Sequence, residues 1–379
     1  MNQMATSTAM TALSDAFLAQ APDAAQKADF ARFAAIGLPH PRAENWRWTD
    51  LHGSFRKALA NEAEASSSQT SLSLTGDFVG SCAVENQQSE PMILLANGLA
   101  NAASREGFVV HGSPDEPLVL QSKNQQRLAG SNVQIRIKAG VHAVLVENNH
   151  RAAQSLSVDF RDIIIEAGAS LIRVLLCPNQ PQQTRINHTC IEVGKGSSYQ
   201  QFTLDFGAQL SRIETHINYV GENANVLLNG AYLLDGEARA DSTSQVRHAL
   251  PNCTTRQLLK GVVRDTAQAV FQGKFYVSRA GQKTDAKMGH HTLLLSENAR
   301  VHAKPELEIY ADDVACAHGN TTGRLDEAAL FYMRQRGLSE PQARALLIRA
   351  FVGEVLDAAP TFVRETLGDK MDIWLEQGE

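Results

Sequence analysis

Four turn residues constrain this chain more than any other feature. Gly140, Gly168, Gly196 and Asn223 stand 28, 28 and 27 positions apart, and each opens a short strand-like run: GVHAVLVE, GASLIRV, GSSYQQF and NANVLLN. Between the turns, apolar residues alternate with polar ones, as in Val133, Ile135, Ile137, then Leu156, Val158, Phe160, then Phe202, Leu204, Phe206, then Ile213, Ile217, Tyr219. Period two places one face of each run in a core. A repeat of this length, built of short strands and tight turns, predicts a parallel β-helix or a related solenoid. A β-sandwich with evenly spaced hairpins is the alternative that periodicity alone leaves open.

The ends of the chain read differently. Met10, Leu13, Phe17 and Leu18 recur at helical spacing, and a second helix from Asp23 buries Phe30, Phe33 and Ile36 before Gly37 and Pro39 stop it. A polar, serine-rich stretch at 61–70 reads as a linker. Beyond Arg324 the helical period returns. Leu330, Phe331 and Met333 lie in one helix, and Ser339 with Gln342 forms the capping box of the next. The expected organisation is an N-terminal helical domain with linker at 1–75, a β core at 76–322 and a C-terminal helical domain at 323–379. The apolar stripe Leu346, Leu347, Ala350, Phe351 and Leu356 suits either the open end of the solenoid or a partner's groove.

Composition excludes several functions. Lys plus Arg number 35 against 41 Asp plus Glu, with no basic block, so neither nucleic acid nor a membrane surface is an expected partner. No run approaches the roughly 18 apolar residues of a membrane span. The first 26 residues contain no Lys or Arg, unlike a secretory or transit segment, and a cytoplasmic location is expected. Five scattered cysteines without a CxxC pair do not resemble a disulfide framework or a zinc finger.

Motifs for nucleotide binding, zinc proteolysis and serine hydrolysis are absent from the sequence. The acidic neighbours Asp312 and Asp313, or Asp326 and Glu327, suit caps and turns better than acid–base work. The informative segment is DDVACAHG, 312–319. On a strand, Cys316 and His318 project from the same face with only alanine between them, a two-donor metal corner suited to iron, zinc or a cluster. A cluster takes about four ligands, so the others must come from elsewhere. A structural Cys beside a His that holds a turn is the plainer reading. His290 and His291 are adjacent and cannot chelate together; a surface loop is expected for them. Cys177 and Cys253 are expected as core thiols, and Trp46 and Trp48 as packing anchors of the N-terminal domain.

From Asp241 to Leu356 the chain resembles the SufB/SufD family of iron–sulfur cluster assembly proteins. The resemblance is carried by KGVV from Lys260, VFQGKFYV from Val270, GQKTDA from Gly281, LLLSENA from Leu293, KPELEIYADDVACAHG from Lys304 and TTGRLDEAALFYMRQRGL from Thr321. GLPHPRAENWRWTDL, from Gly37, looks like the opening motif of the SufD branch, whereas residues 60–130 match only loosely. Met288 to His291 depart from the family's Gln-x-Asn-like run, and Asn320 replaces its usual Ala. The resemblance implies a mainly β fold, a right-handed parallel β-helix core flanked by N-terminal and C-terminal α-helical domains.

It further implies a non-catalytic scaffold subunit. Such a subunit pairs with a SufB-like paralogue and docks a SufC-like ABC-type ATPase through Leu330, Phe331, Leu346, Leu347 and Phe351. His318 and Cys316 would supply ligands at the shared interface to transient iron or a nascent iron–sulfur cluster. The isolated chain would hold no cofactor of its own, ATP would sit only on the ATPase, and a homodimer of the isolated chain is left open. Two rivals are a purely structural adaptor that recruits the ATPase and a β-helix enzyme acting on polysaccharide. The second needs aromatic platforms, and Phe, Trp and Tyr make up only 6% of the chain.

Overall fold

The computed structural model describes residues 8–40, 42–60, 70–84 and 90–376. The linker expected at 61–70 therefore lies, up to residue 69, outside the described residues. The strands in chain order begin with β1 (Ser71–Thr75), β2 (Val79–Cys82), β3 (Arg105–Val110), β4 (Leu118–Asn124), β5 (Leu128–Ile137) and β6 (His142–Arg151). They continue with β7 (Leu156–Ile165), β8 (Ser170–Cys177), β9 (Gln180–Val193), β10 (Ser198–Asp205), β11 (Ala208–Tyr219) and β12 (Asn225–Leu234). The last are β13 (Arg239–His248), β14 (Thr254–Val263), β15 (Gln268–Val277), β16 (Asp285–Leu294), β17 (Arg300–Ile309) and β18 (Ala315–Gly323).

Even-numbered strands from β4 to β18, with β1 at the edge, form one nine-stranded sheet. Odd-numbered strands from β3 to β17, with β2 at the edge, form the other. Neighbours are parallel except at the N-terminal edge, where β1 pairs antiparallel with β4 and β2 with β3. Successive strands thus alternate between two facing sheets and wind about eight turns of a β-solenoid.

The 28-residue step has a stereochemical cause. Gly140, Gly168 and Gly196 have φ of 71°, 68° and 63°, and Asn223 has φ of 59°, the left-handed region that Gly and Asn enter at least cost. Each donates its backbone N–H to the next coil, Gly140 to Ala167, Gly168 to Lys195, Gly196 to Glu222 and Asn223 to Pro251. The series runs on through Asn252 and Lys283, both also at positive φ. Inside, residues one coil apart stack in register: Ile135, Ile163, Ile191, Ile217, Val246, Phe275 and Leu307 form a single apolar column. Each fully buried member contributes about 1.5–3 kcal/mol relative to exposure.

Helices clad the two outer faces. Helices α1 (Thr8–Ala19), α2 (Ala24–Ile36), α3 (Leu51–Leu59) and α4 (Pro91–Leu99) share one apolar cluster with the outer face of the odd-numbered sheet, including Leu128, Phe160, Ile186 and Leu210. Helix α2 carries a capping box between Asp23 and Gln26. Helices α5 (Glu327–Gln335), α6 (Glu340–Gly353) and α7 (Thr361–Glu376) cover the outer face of the even-numbered sheet over Val174, Phe202, Leu204, Leu233 and Val262. The Ser339–Gln342 capping box starts α6 as the sequence predicts. Leu347, Phe351 and Leu356 of the expected stripe therefore pack along the flank of the solenoid and do not cover its end, while Leu346 and Ala350 are exposed. Among the described residues, no helix is long and apolar enough to cross a membrane.

Candidate functional site

The C-terminal end of the solenoid is open. Among the described residues, β17 pairs only with β15 and β18 only with β16, so both present an unpaired edge. Edge strands are ready templates for another chain unless charge or proline blunts them. Strand β17 carries Lys304, Pro305, Glu306 and Glu308, whereas β18, ACAHGNTTG, carries no Lys, Arg, Asp, Glu or Pro.

Cys316 and His318 both lie on β18, as the sequence predicts, opposite Ala286 and Met288 of β16. Ala286 and Met288 are buried in the solenoid interior, so the two donors line the inner wall of the last coil. Cys316 is half-buried against that core and His318 is exposed. Burial pushes the Cys316 thiol up, Asp285 adds to the effect, and the Ala286 backbone N–H opposes it. In the isolated chain the thiol is thus held in its protonated form, and a metal or cation must be supplied before it acts as a thiolate.

A polar chain backs this corner. Asn320 Oδ1, on the same face of β18, accepts from His290 Nδ1 at 2.7 Å, and His290 Nε2 lies 2.8 Å from the Tyr232 hydroxyl. His290 stacks on Phe271 with ring centres 4.4 Å apart. The expectation of a surface loop for His290 and His291 is therefore corrected. Both belong to β16, where alternation sends His290 into the core and His291 to the outer face, within 2.7 Å of Thr321. Burial lowers His290 to about 4, with Asn320 opposing and His291 assisting, so it is neutral at physiological pH.

Cys177 and Cys253 are buried core thiols as expected, burial pushing Cys177 up to about 12. Trp46 packs under the N-terminal helices, and Trp48 stacks on His302 of β17 at 5.8 Å, which ties that segment to the open end. The C-terminal apolar residues divide by exposure. Leu330 of α5 is 4% exposed and packs into the helical cluster, while Phe331 at 64% and Leu346 at 47% face solvent. Leu347 and Phe351 are half-buried against the helical cluster, and Lys260 Nζ sits 4.4 Å from the Phe351 ring centre. Leu346, Ala350 and Gly353 of α6 face Gly368, Met371 and Asp372 of α7 across an open groove. The sequence did not mark α7, whose Thr361 start follows directly on the Pro360 that ends the preceding helical segment.

These features define a class: a parallel β-solenoid clad by helices from both ends of the chain, with an uncapped coil that presents a thiol and an imidazole. Residues 119–351 match the family model described as SUF system FeS cluster assembly, SufBD core domain. The chain is 27% identical to the iron–sulfur cluster assembly protein SufD of Escherichia coli, over 85% of each chain. It is 41% identical to a SufBD family protein of Synechocystis over 45% of this chain and 38% of that one. A SufBD family protein of Mycobacterium leprae is 30% identical over 62% of each. The chain belongs to the SufB/SufD family of iron–sulfur cluster assembly proteins.

Proposed function

We propose that this chain is a cytoplasmic, non-catalytic scaffold subunit that joins a SufB-like paralogue through its open coil and a SufC-like ABC-type ATPase through its C-terminal helices. The observation that carries this reading is the unpaired β18 edge with Cys316 and His318 on its inner face. A second solenoid docked there completes the ladder and brings further donors to transient iron or a nascent cluster. The ATPase, the only ATP-binding member, docks on the exposed Phe331 and Leu346 beside the groove between α6 and α7, with Leu347 and Phe351 beneath. Leu330 supports that surface from the core. Movement of the ATPase pair then strains the joined solenoids and exposes the shared site.

Anaerobic reconstitution of the co-expressed complex with ferrous iron and sulfide tests the ligand role. His318→Ala should lower cluster yield while the complex still assembles; full yield removes His318 from the site. The half-buried, protonated Cys316 favours a second reading for that residue, a packing thiol within a structural adaptor. Normal yield from Cys316→Ala together with His318→Ala would select that adaptor. Loss of the ATPase from pull-downs of Leu346→Glu would locate its docking surface on α6.

A further inference from the structure

We infer that the outer face of the odd-numbered sheet holds a second metal site, in which His188, Cys190, His216 and Glu90 bind one divalent first-row cation. It does not depend on the scaffold reading. Strands β9 and β11 are parallel neighbours, His188 opposite Glu214 and Cys190 opposite His216. Because residues two apart share a face, the register gathers four donor-bearing side chains into one square. The Glu90 carboxylate, at the N-terminus of α4, closes over it.

The spacings of His188, Cys190 and His216 are those of ligands around an ion, and Glu90, which groups with His188 and Glu214, stands beside both imidazoles. The donor atoms of His188, Cys190 and His216 all lie within 4.8 Å of one another. Cys190 Sγ is 3.6 Å from His188 Nε2. Metal–sulfur and metal–nitrogen bonds of about 2.3 and 2.05 Å at a tetrahedral angle put two such donors about 3.6 Å apart. Glu90 Oε2 lies 3.9 Å from His188 Nε2, and Oε1 lies 3.8 Å from His216 Nδ1. Both distances are too long for hydrogen bonds and suit atoms that share a cation.

The surrounding residues hold these donors in place. His216 Nε2 is 3.0 Å from Glu214 Oε1, which fixes the ring and leaves Nδ1 toward Glu90. The other Glu214 oxygen accepts from Arg212 Nε and Nη2 at 3.0 and 2.9 Å. A carboxylate behind a ligating imidazole is the usual second layer of a metal centre. His188 is 1% exposed, its Nδ1 is buried without a hydrogen-bond partner, and its ring packs against Phe160 and His216. A cleft of about 380 Å³ beside Pro39, Trp46 and Met92 reaches His188 and His216, and Glu90, 50% exposed, stands at its mouth as the entry for an ion.

One thiolate, two imidazoles and one carboxylate suit zinc or ferrous iron and not the all-oxygen preference of magnesium or calcium. Thiolate and Glu90 together neutralise a divalent charge. The site is three strands of the odd-numbered sheet away from β17 and the open coil, so it is separate from Cys316 and His318. A bound ion would also fasten the start of α4 to the solenoid.

The full-length chain, stripped with a chelator, is titrated with Co2+ as the optical probe and back-titrated with Zn2+ and, anaerobically, Fe2+. One equivalent should give a thiolate-to-cobalt charge-transfer band and tetrahedral visible bands, which Zn2+ or Fe2+ then displaces. Cys190→Ser should abolish the charge-transfer band, and His216→Ala should weaken binding by about tenfold or more. If His216→Ala misfolds by near-ultraviolet circular dichroism, His216→Gln must show the same weakening. The Cys316→Ser, His318→Ala double variant should keep every band. Absence of bands in the parent chain, their retention in Cys190→Ser, or their loss in the double variant would overturn the site.

Discussion

The Arg212 guanidinium lies 3.8 Å from the centre of the Trp46 ring, pinned between the N-terminal segment and the solenoid. Arg212 also donates to Asp241 and Glu214, and Thr49 donates to Asp241 from the same segment. Trp46→Ala removes the lid of this buried group and should cost about 3–5 kcal/mol. Arg212→Ala leaves two buried carboxylates without their cation and should cost about as much. Because the two side chains touch, the double variant should lose less than the sum. Urea unfolding of all four proteins measures the coupling; simple additivity would show that the stacking contributes nothing of its own.

Inside the solenoid, Glu147 accepts from Arg173 Nε at 2.5 Å and Arg161 Nε at 3.2 Å, all three side chains being almost fully buried. Burial opposes the charge on Glu147, but the two guanidinium groups overcome it and hold the carboxyl below its usual range. The folded pKa is the lower one, so this stability is complete above the unfolded value of about 4.3 and is lost as pH falls through the folded value. Glu147→Gln strands both cations and should cost about 3–5 kcal/mol at neutral pH. Its unfolding midpoint should also fall less steeply than the parent's below pH 4; parallel acid limbs would contradict the assignment.

Two buried histidines act over a higher range. Burial lowers both His248 and His290 to about 4, against an unfolded value of about 6.5. The unfolded chain binds the extra protons, so their contribution is intact above pH 6.5 and declines as pH falls toward 4. Each adds up to about 1.4 kcal/mol per pH unit to the slope. Replacing His290 by Gln should reduce the slope between pH 6 and 4.5 by close to one proton, read from urea midpoints. An unchanged slope would mean that His290 already carries its proton in the fold.

The solenoid was legible because its cause is local. A left-handed turn residue every coil and alternation between turns both leave a direct mark, and Gly140 through Asn223 carry it in plain view. The Cys316–His318 corner was legible for the same reason, two residues on one strand. What escaped depends on register between coils. His188 lies opposite Glu214 and Cys190 opposite His216, a step of 26 residues between these coils and not the 28 of the turns, so the turn repeat alone does not line these donors up. His290 was misjudged because a polar pair suggests a loop, whereas Tyr232 and Asn320, from coils on either side, satisfy it in the core. The flank position of α6 follows from long-range packing on Val174 and Phe202 that no periodicity within the helix encodes.

The open coil makes the last prediction. Gly319 lies on β18 between His318 and Asn320, in ordinary strand conformation, and a Cβ built there meets nothing within 4 Å. A longer side chain at this position therefore costs the isolated chain little, and Gly319→Lys should unfold within about 0.5 kcal/mol of the parent. A lysine on an edge strand, however, opposes the addition of another strand by steric bulk and by the cost of removing its charge from water. Co-expression of Gly319→Lys with the SufB-like paralogue should weaken capture by about tenfold or more, a change of roughly 1.4 kcal/mol, while binding of the ATPase to the proposed α6 surface should persist. Undiminished capture of the paralogue by a folded Gly319→Lys chain would place the partner elsewhere on the molecule and deprive Cys316 and His318 of the donors that only a docked coil supplies.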